Sequence, residues 1–347
     1  MFDATPAAAP ALATDLSPAL APDQRSLRVH SWIGLSPGPR LIVLGGVHGD
    51  ETCGTEAIER VRAELDAAAG AGGTSGTEWR LARGELTLIA VANPLARALL
   101  RREGERNLNR LFQPGAHPLD YEAHITNALC PVLARHDVLL DLHSFQSAGE
   151  AFAMIGPRDN AGLLEPFARA AEEGQLALHL GTSRVVEGWL DIYAAGIAQR
   201  SQPLSDAALA FGWGTNEFMR SQGGYAITLE CGQHRDAEAP EAAYRAIRAA
   251  LRVLRMTDEA PAPGRFVPPQ LLRLRSVTDR THVDDRLARD WATFDPLRRG
   301  ELIGLRHDGT PVRAEGDGFI IFPNATAPPG TEWFYFAEAS DRALGVG

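Results

Sequence analysis

Three short, unbroken apolar runs constrain this chain more than anything else in it. They occupy residues 40–46, 85–92 and 137–143. Each is too short for an ordinary helix and too continuous for a strand with one wet face. A strand covered on both faces reads this way. Segments of helical spacing lie between and after them. Residues 56–69 place Ile58, Val61 and Leu65 on one side, and residues 121–135 form a second helix that Pro131 bends or splits. The first helix should stop at Gly70, before a Gly/Ala/Ser/Thr loop over 70–76, and Asn93-Pro94 stops the second apolar run. Residues 152–155 and 225–230 read as further strands, and 241–256 as an amphipathic helix. Alternation of this kind predicts an α/β fold, a mostly parallel central sheet covered by helices.

The rhythm changes after residues 258–264, a Pro-rich linker. Short strands follow at 271–276, 301–306, 318–322 and 333–336, with a hairpin turn at His307-Asp-Gly-Thr310. The expected organisation is a weakly ordered Ala/Pro-rich arm (1–26), a catalytic domain (27–257) and a small β-rich C-terminal domain (265–347). The arm has no basic start, and Asp3 and Asp15 interrupt it, so it does not read as a signal peptide. No apolar stretch is long enough to span a bilayer. Cys53, Cys130 and Cys231 have no CxxC spacing, which points to a reducing cytoplasm.

The charge balance narrows the function. The chain has 44 acidic residues against 34 basic ones, a formal net charge of −10. That argues against nucleic acid or an anionic membrane as partner. Every basic residue is Arg. The absence of Lys removes Schiff-base chemistry, phosphate-loop lysines and lysine general bases. Buried positive charge, histidine aside, is then a guanidinium, the group shaped to grip a carboxylate.

Chemistry-bearing residues collect where the apolar runs end. Gly45-Gly-Val-His48-Gly-Asp-Glu51 follows the first run, and Asp141-Leu-His143-Ser closes the third. Sites in open α/β sheets form at the carboxyl ends of strands. Two imidazoles and one carboxylate make a catalytic zinc set, His48, Glu51 and His143, although another divalent ion suits the same donors. Asp141 reads equally as an acceptor behind an imidazole or as an ordinary strand-end residue. The stretch from Arg101 to Phe112 holds four arginines, and apolar Leu108, Leu111 and Phe112 frame Asn109-Arg110. A partly buried guanidinium needs an anion, and in an acidic protein the substrate is a candidate. Glu230 ends an apolar strand, a costly place for a carboxylate without a partner or a task. Beside a metal it would serve as general base.

These pieces, together with Asn93-Pro-Leu-Ala96 and Leu229-Glu230-Cys-Gly, resemble the succinylglutamate desuccinylase/aspartoacylase family in type and order over residues 40–235. The resemblance implies a zinc carboxypeptidase-like fold and hydrolysis of a small anionic N-acyl amino acid, such as N-succinylglutamate or N-acetylaspartate. It implies one zinc per chain on His48, Glu51 and His143, with Glu230 as proton carrier. Arg102 would steady the scissile carbonyl oxygen, Asn109 and Arg110 would grip the substrate carboxylate, and Arg220 would also bind substrate. Two departures stand out. Asn107 occupies the place of a family Asp, and the tyrosines that help bind substrate in aspartoacylase have no counterpart. Competing expectations are a metallocarboxypeptidase, a cysteine hydrolase built on Cys231 with His234 nearby, and a binding protein without turnover.

Overall fold

The computed structural model describes residues 20–70, 80–162, 165–200, 212–259 and 266–344. Residues 1–19 of the expected arm, 71–76 of the expected loop and 260–264 of the expected linker lie outside the described residues. The strands are β1 His30–Ile33, β2 Ser36–Leu44, β3 Arg83–Ile89, β4 Val138–Phe145, β5 Phe152–Met154, β6 Arg184–Glu187, β7 Tyr225–Gln233 and β8 Gln270–Asp279. They continue as β9 Arg286–Leu287, β10 Pro296–Leu297, β11 Leu302–Leu305, β12 Pro311–Arg313, β13 Gly318–Ile321 and β14 Glu332–Ala339. The helices are α1 Cys53–Gly70, α2 Pro94–Leu99, α3 Tyr121–Leu133, α4 Ala170–Leu178, α5 Trp189–Arg200, α6 Thr215–Ser221 and α7 Ala239–Val253.

One long sheet runs in the order β1-β3-β2-β4-β7-β5-β6-β8-β14-β13-β10. Its centre is parallel, with β2 between β3 and β4, and β4 beside β7. β5 is antiparallel to β7 but parallel to β6, which pairs parallel with β8. From β8 outward the pairing is antiparallel. The strands after residue 270 therefore extend the same sheet, and β12-β11-β9 form a separate small one. The predicted turn at His307–Thr310 joins β11 to β12, with Gly309 at φ +86°.

The apolar runs are continuous because helices cover both faces. Leu41 and Val43 of β2, with Val138 and Leu140 of β4, pack with Ile58, Val61 and Leu65 of α1 and Ile247 of α7. The alternate residues Ile42, Leu44 and Leu139 turn to the opposite face, against Ile125, Leu129 and Leu133 of α3 and Phe218 of α6. The strand period of two thus feeds two cores from one run. Burying each such aliphatic side chain contributes about 1.5–3 kcal/mol.

The sequence did not signal β1 or β6. β1 is an edge strand whose residues alternate between half-buried and exposed, and β6 is only four residues long. Pro131 sits inside α3, close to its end. The described end of the arm is docked: Leu20 and Leu27 pack on the α3 side of the sheet, and the Tyr121 hydroxyl donates to the Gln24 carbonyl. Among the described residues, no helix is long and apolar enough to cross a membrane.

Candidate active site

The carboxyl ends of the parallel strands supply the site. After β2 the chain turns sharply through Gly46, at φ +60°, and then passes hard against α2. A Cβ at Gly49 would lie 2.0 Å from the Ala96 carbonyl, so only glycine fits there. This turn places His48 and Glu51 opposite His143 of β4. His143 is in register with Glu230 on the neighbouring strand β7.

His48, Glu51 and His143 are all buried, and one donor atom from each lies within 4.8 Å of the other two. His48 Nδ1 is 2.8 Å from Glu51 Oε1, and His143 Nδ1 is 3.0 Å from Glu51 Oε2. The two Nδ1 atoms are 3.2 Å apart. Each ring's far nitrogen faces an oxygen: His48 Nε2 lies 3.1 Å from Asn107 Oδ1, and His143 Nε2 lies 3.1 Å from Asp141 Oδ2. Asn107 favours the proton on His48 Nε2 and leaves that ring's Nδ1 lone pair for an ion, whereas His143 Nε2 is ion-paired with Asp141 without a hydrogen bond. Burial, helped by Arg102, lowers His48 to about 4, so its ring is neutral. Burial alone would also lower His143, but Asp141 and Glu51 outweigh it and hold it raised. Glu51 is lowered because the two imidazoles overcome the cost of its burial. The donor set fits a divalent cation.

Asn107 therefore has a definite place. Its amide oxygen accepts from His48 Nε2 and from the Asn109 backbone N–H at 2.9 Å. It braces His48 with a neutral acceptor where the family resemblance leads one to expect a carboxylate. Of its two readings Asp141 takes the place beside His143, ion-paired with its Nε2 at 3.1 Å, and its Oδ2 accepts from the Thr215 hydroxyl.

The arginine loop is held from below. Glu122 of α3 is fully buried and accepts from Asn93 Nδ2 (2.9 Å) and from the backbone N–H groups of Gly104 (3.0 Å) and Arg106 (3.1 Å). Asp120 caps α3 and binds Arg106 Nε. Arg97 donates to the Glu51 carbonyl at 2.9 Å and to the Thr55 hydroxyl, fixing the start of α1. Apart from the Asp120 cap, these supports have no local sequence signal, because each of the other partners lies at least fourteen residues away.

On that loop, Arg102 Nη1 lies 3.1 Å from Glu51 Oε1, with its side chain half-exposed. Asn109 Oδ1 accepts from the Thr215 backbone N–H at 2.9 Å, which ties the loop to the start of α6. Arg110 Nη1 donates to the Asn109 carbonyl, and its guanidinium sits 5.1 Å from the Tyr193 ring centroid. It has no carboxylate partner among the described residues.

Glu230 is buried beside this cluster, and among the described residues its Oε2 has no hydrogen-bond partner. Burial is the main reason its carboxyl is raised to about 8. Such a group exchanges a proton near neutrality. Cys231 is unsuited to be a nucleophile, since burial and the neighbouring Cys53 push its thiol well up. His234, which the sequence placed beside Cys231, lines the cavity, and its Nδ1 lies 2.8 Å from the Ser144 hydroxyl.

Arg220 departs from its expected substrate role. Its side chain is only 3% exposed. Nε donates to Glu173 at 3.0 Å, Nη1 to Glu165 at 2.5 Å and Nη2 to the Ala226 carbonyl at 2.8 Å. Three buried carboxylates, Glu165, Glu173 and Glu217, surround this one guanidinium. It anchors α6 to β7 from beneath the cavity floor, with every nitrogen already engaged.

The cavity has a volume of about 630 Å³. It is lined by His48, Glu51, Arg102, Asn109, Arg110 and Glu230, together with residues of α5 and the loop before β14.

Known proteins share this fold. The chain is 27% identical over 292 residues to the succinylglutamate desuccinylase of Vibrio cholerae, covering 82% of this chain and 76% of that one. A succinylglutamate desuccinylase/aspartoacylase structure from Rhodobacter sphaeroides superimposes with a TM-score of 0.66 at 17% identity, covering 90% of each chain. The product-bound ectoine utilization protein EutE (DoeB) of Ruegeria pomeroyi gives a TM-score of 0.63 at 18% identity, covering 90% of this chain and 88% of that one. Residues 37–257 match the succinylglutamate desuccinylase/aspartoacylase catalytic domain, so the chain belongs to that family.

Proposed function

We propose that this protein is a zinc-dependent amidohydrolase of the cytoplasm, cleaving the amide of a small anionic N-acyl amino acid to a carboxylic acid and a free amino acid. The observation that carries this reading is the partnerless carboxyl of Glu230 beside the His48/Glu51/His143 cluster, in one cavity with Arg110. Zinc held by His48, Glu51 and His143 would polarise the amide carbonyl and bring the pKa of water down to about 7. Glu230 takes a proton from the attacking water as the new C–O bond forms. It then gives that proton to the nitrogen as the C–N bond breaks. Arg102, next to Glu51, donates to the carbonyl oxygen as negative charge develops there, a contribution of about 3 kcal/mol for one donor. Arg110 and Asn109 hold the substrate carboxylate and fix the amide over the cluster.

The test is amine release from a panel of N-acyl amino acids and blocked peptides, with metal content measured before and after chelation. About one zinc per chain and chelator-sensitive turnover of an N-acyl amino acid are expected. Turnover confined to peptides would make it a metallocarboxypeptidase. Failure to bind zinc when it is supplied would end the proposal.

A further inference from the structure

The cavity's charges and its aromatic lining narrow the substrate further, on the basis of the deacylase reading above. Three arginines line the cavity, Arg102, Arg110 and Arg220. Arg220 is consumed by Glu165 and Glu173, and Arg102 is paired with Glu51. Among the described residues of the lining, Arg110 is the one arginine without a carboxylate partner. The same lining carries the carboxylates Glu103, Glu217 and Glu332. Glu217 belongs to the Arg220 cluster, so among the described lining residues a ligand with two or three carboxylates would find one guanidinium without a carboxylate partner, Arg110, for all of its charges.

Another part of the lining is aromatic. Trp189, at the start of α5, lies 5.2 Å from Tyr335 of β14 and 6.5 Å from Phe322, ring centroid to centroid. Phe322 in turn lies 5.5 Å from Phe145 of β4, near the catalytic cluster. Trp189 and Phe322 are half-buried and border the cavity, while Tyr335 and Phe145 behind them are buried. Met154 and Ile155 continue this surface beside Glu230. Water against such a wall is displaced favourably by apolar groups, at about 25 cal/mol per Å² covered.

We propose that the substrate is an N-acyl amino acid with a single carboxylate, seated on Arg110 and Asn109, and an aliphatic or aromatic chain laid against Trp189, Phe322 and Tyr335. This sets it apart from N-succinylglutamate and N-acetylaspartate, which carry extra carboxylates.

The experiment compares kcat/KM of the zinc-loaded protein for N-acetyl-leucine, N-acetyl-phenylalanine and N-hexanoylglycine with that for N-succinylglutamate, N-acetylaspartate and Nα-acetyl-lysine. The best apolar substrate should exceed every polyanion and the cation by about tenfold or more, the usual reach of one apolar pocket. A polyanion or the cation as the best substrate overturns this inference and leaves the deacylase intact. Release from none of the six overturns the deacylase reading and this inference with it. In Trp189→Ala, the ratio of kcat/KM for the best apolar substrate to that for N-acetylglycine should fall about tenfold, and Trp189→Phe should retain it. An unchanged ratio in Trp189→Ala, with the protein folded by circular dichroism, also overturns the assignment.

Discussion

Asp285, among the C-terminal strands, and Glu230, in the cleft, are both buried carboxylates held in opposite ways. Asp285 Oδ2 accepts from the Thr281 backbone N–H and hydroxyl, the His282 N–H and Arg306, and Oδ1 accepts from the His307 N–H. Burial works to raise its pKa, and these donors outweigh it and hold it well below the ordinary carboxylate range. Glu230 is raised by the same burial and has no donor on Oε2 to offset it. A carboxylate that braces a turn is saturated with hydrogen bonds and keeps its charge. One that carries protons is left short of them.

That contrast can be broken in several ways, taken here from the largest expected effect to the smallest. Glu230→Gln should lower kcat about 10²–10⁴-fold. Its melting temperature at pH 8 should hold or rise, because an ionising buried group has been removed. A loss of turnover under tenfold would remove Glu230 from the proton path. Asp285→Ala should do the reverse. Urea unfolding should show a loss of roughly 2–3 kcal/mol, less than for a deep ion pair because Arg306 keeps partial contact with water. The turnover of the folded fraction should stay near wild type.

Arg110→Ala should raise KM about tenfold while kcat changes little, since a carboxylate clamp acts alike on ground and transition states. An equal fall in kcat would place Arg110 in the chemistry instead.

The smallest effect is a slope. Glu165, beneath the cavity, is raised by burial to about 8 from an ordinary 4.5. The folded state then holds a proton that the unfolded state releases across that window. Stability is therefore greatest at the acid end and falls as pH rises towards 8. Asp285 acts with the opposite sign, and its stabilisation is lost as pH falls below its ordinary 3.8. Glu165→Gln should flatten the melting curve between about pH 5 and 8 and leave the acid limb unchanged.

Much of the cleft could be read in advance because strand ends announce it. His48, Glu51, His143 and Glu230 each interrupt or close an apolar run, where a polar residue needs a reason. The supports could not be read this way. Glu122 meets Gly104 and Arg106 only after α3 docks, and nothing local separates it from a surface glutamate. Arg220 had the right spacing for a substrate residue, yet the fold brings Glu165 and Glu173 to it from more than forty residues away. The aromatic wall was equally hidden. Trp189 reaches Phe322 and Tyr335 only because β6 pairs with β8, and β8 with β14. The apolar runs, by contrast, predicted the sheet's centre, since two-sided burial is written residue by residue.

The order of these parts along the chain has a consequence for synthesis. His48, Glu51 and His143 leave the ribosome before Glu230, which follows nearly ninety residues later, and Phe322 and Tyr335 come about ninety to a hundred residues after that. N-terminal segments fold while later ones are still being made. The growing chain thus has its His-Glu-His cluster long before Phe322 and Tyr335 complete the aromatic wall, so a substrate seat on that wall, as proposed above, would be finished later in synthesis than the cluster itself.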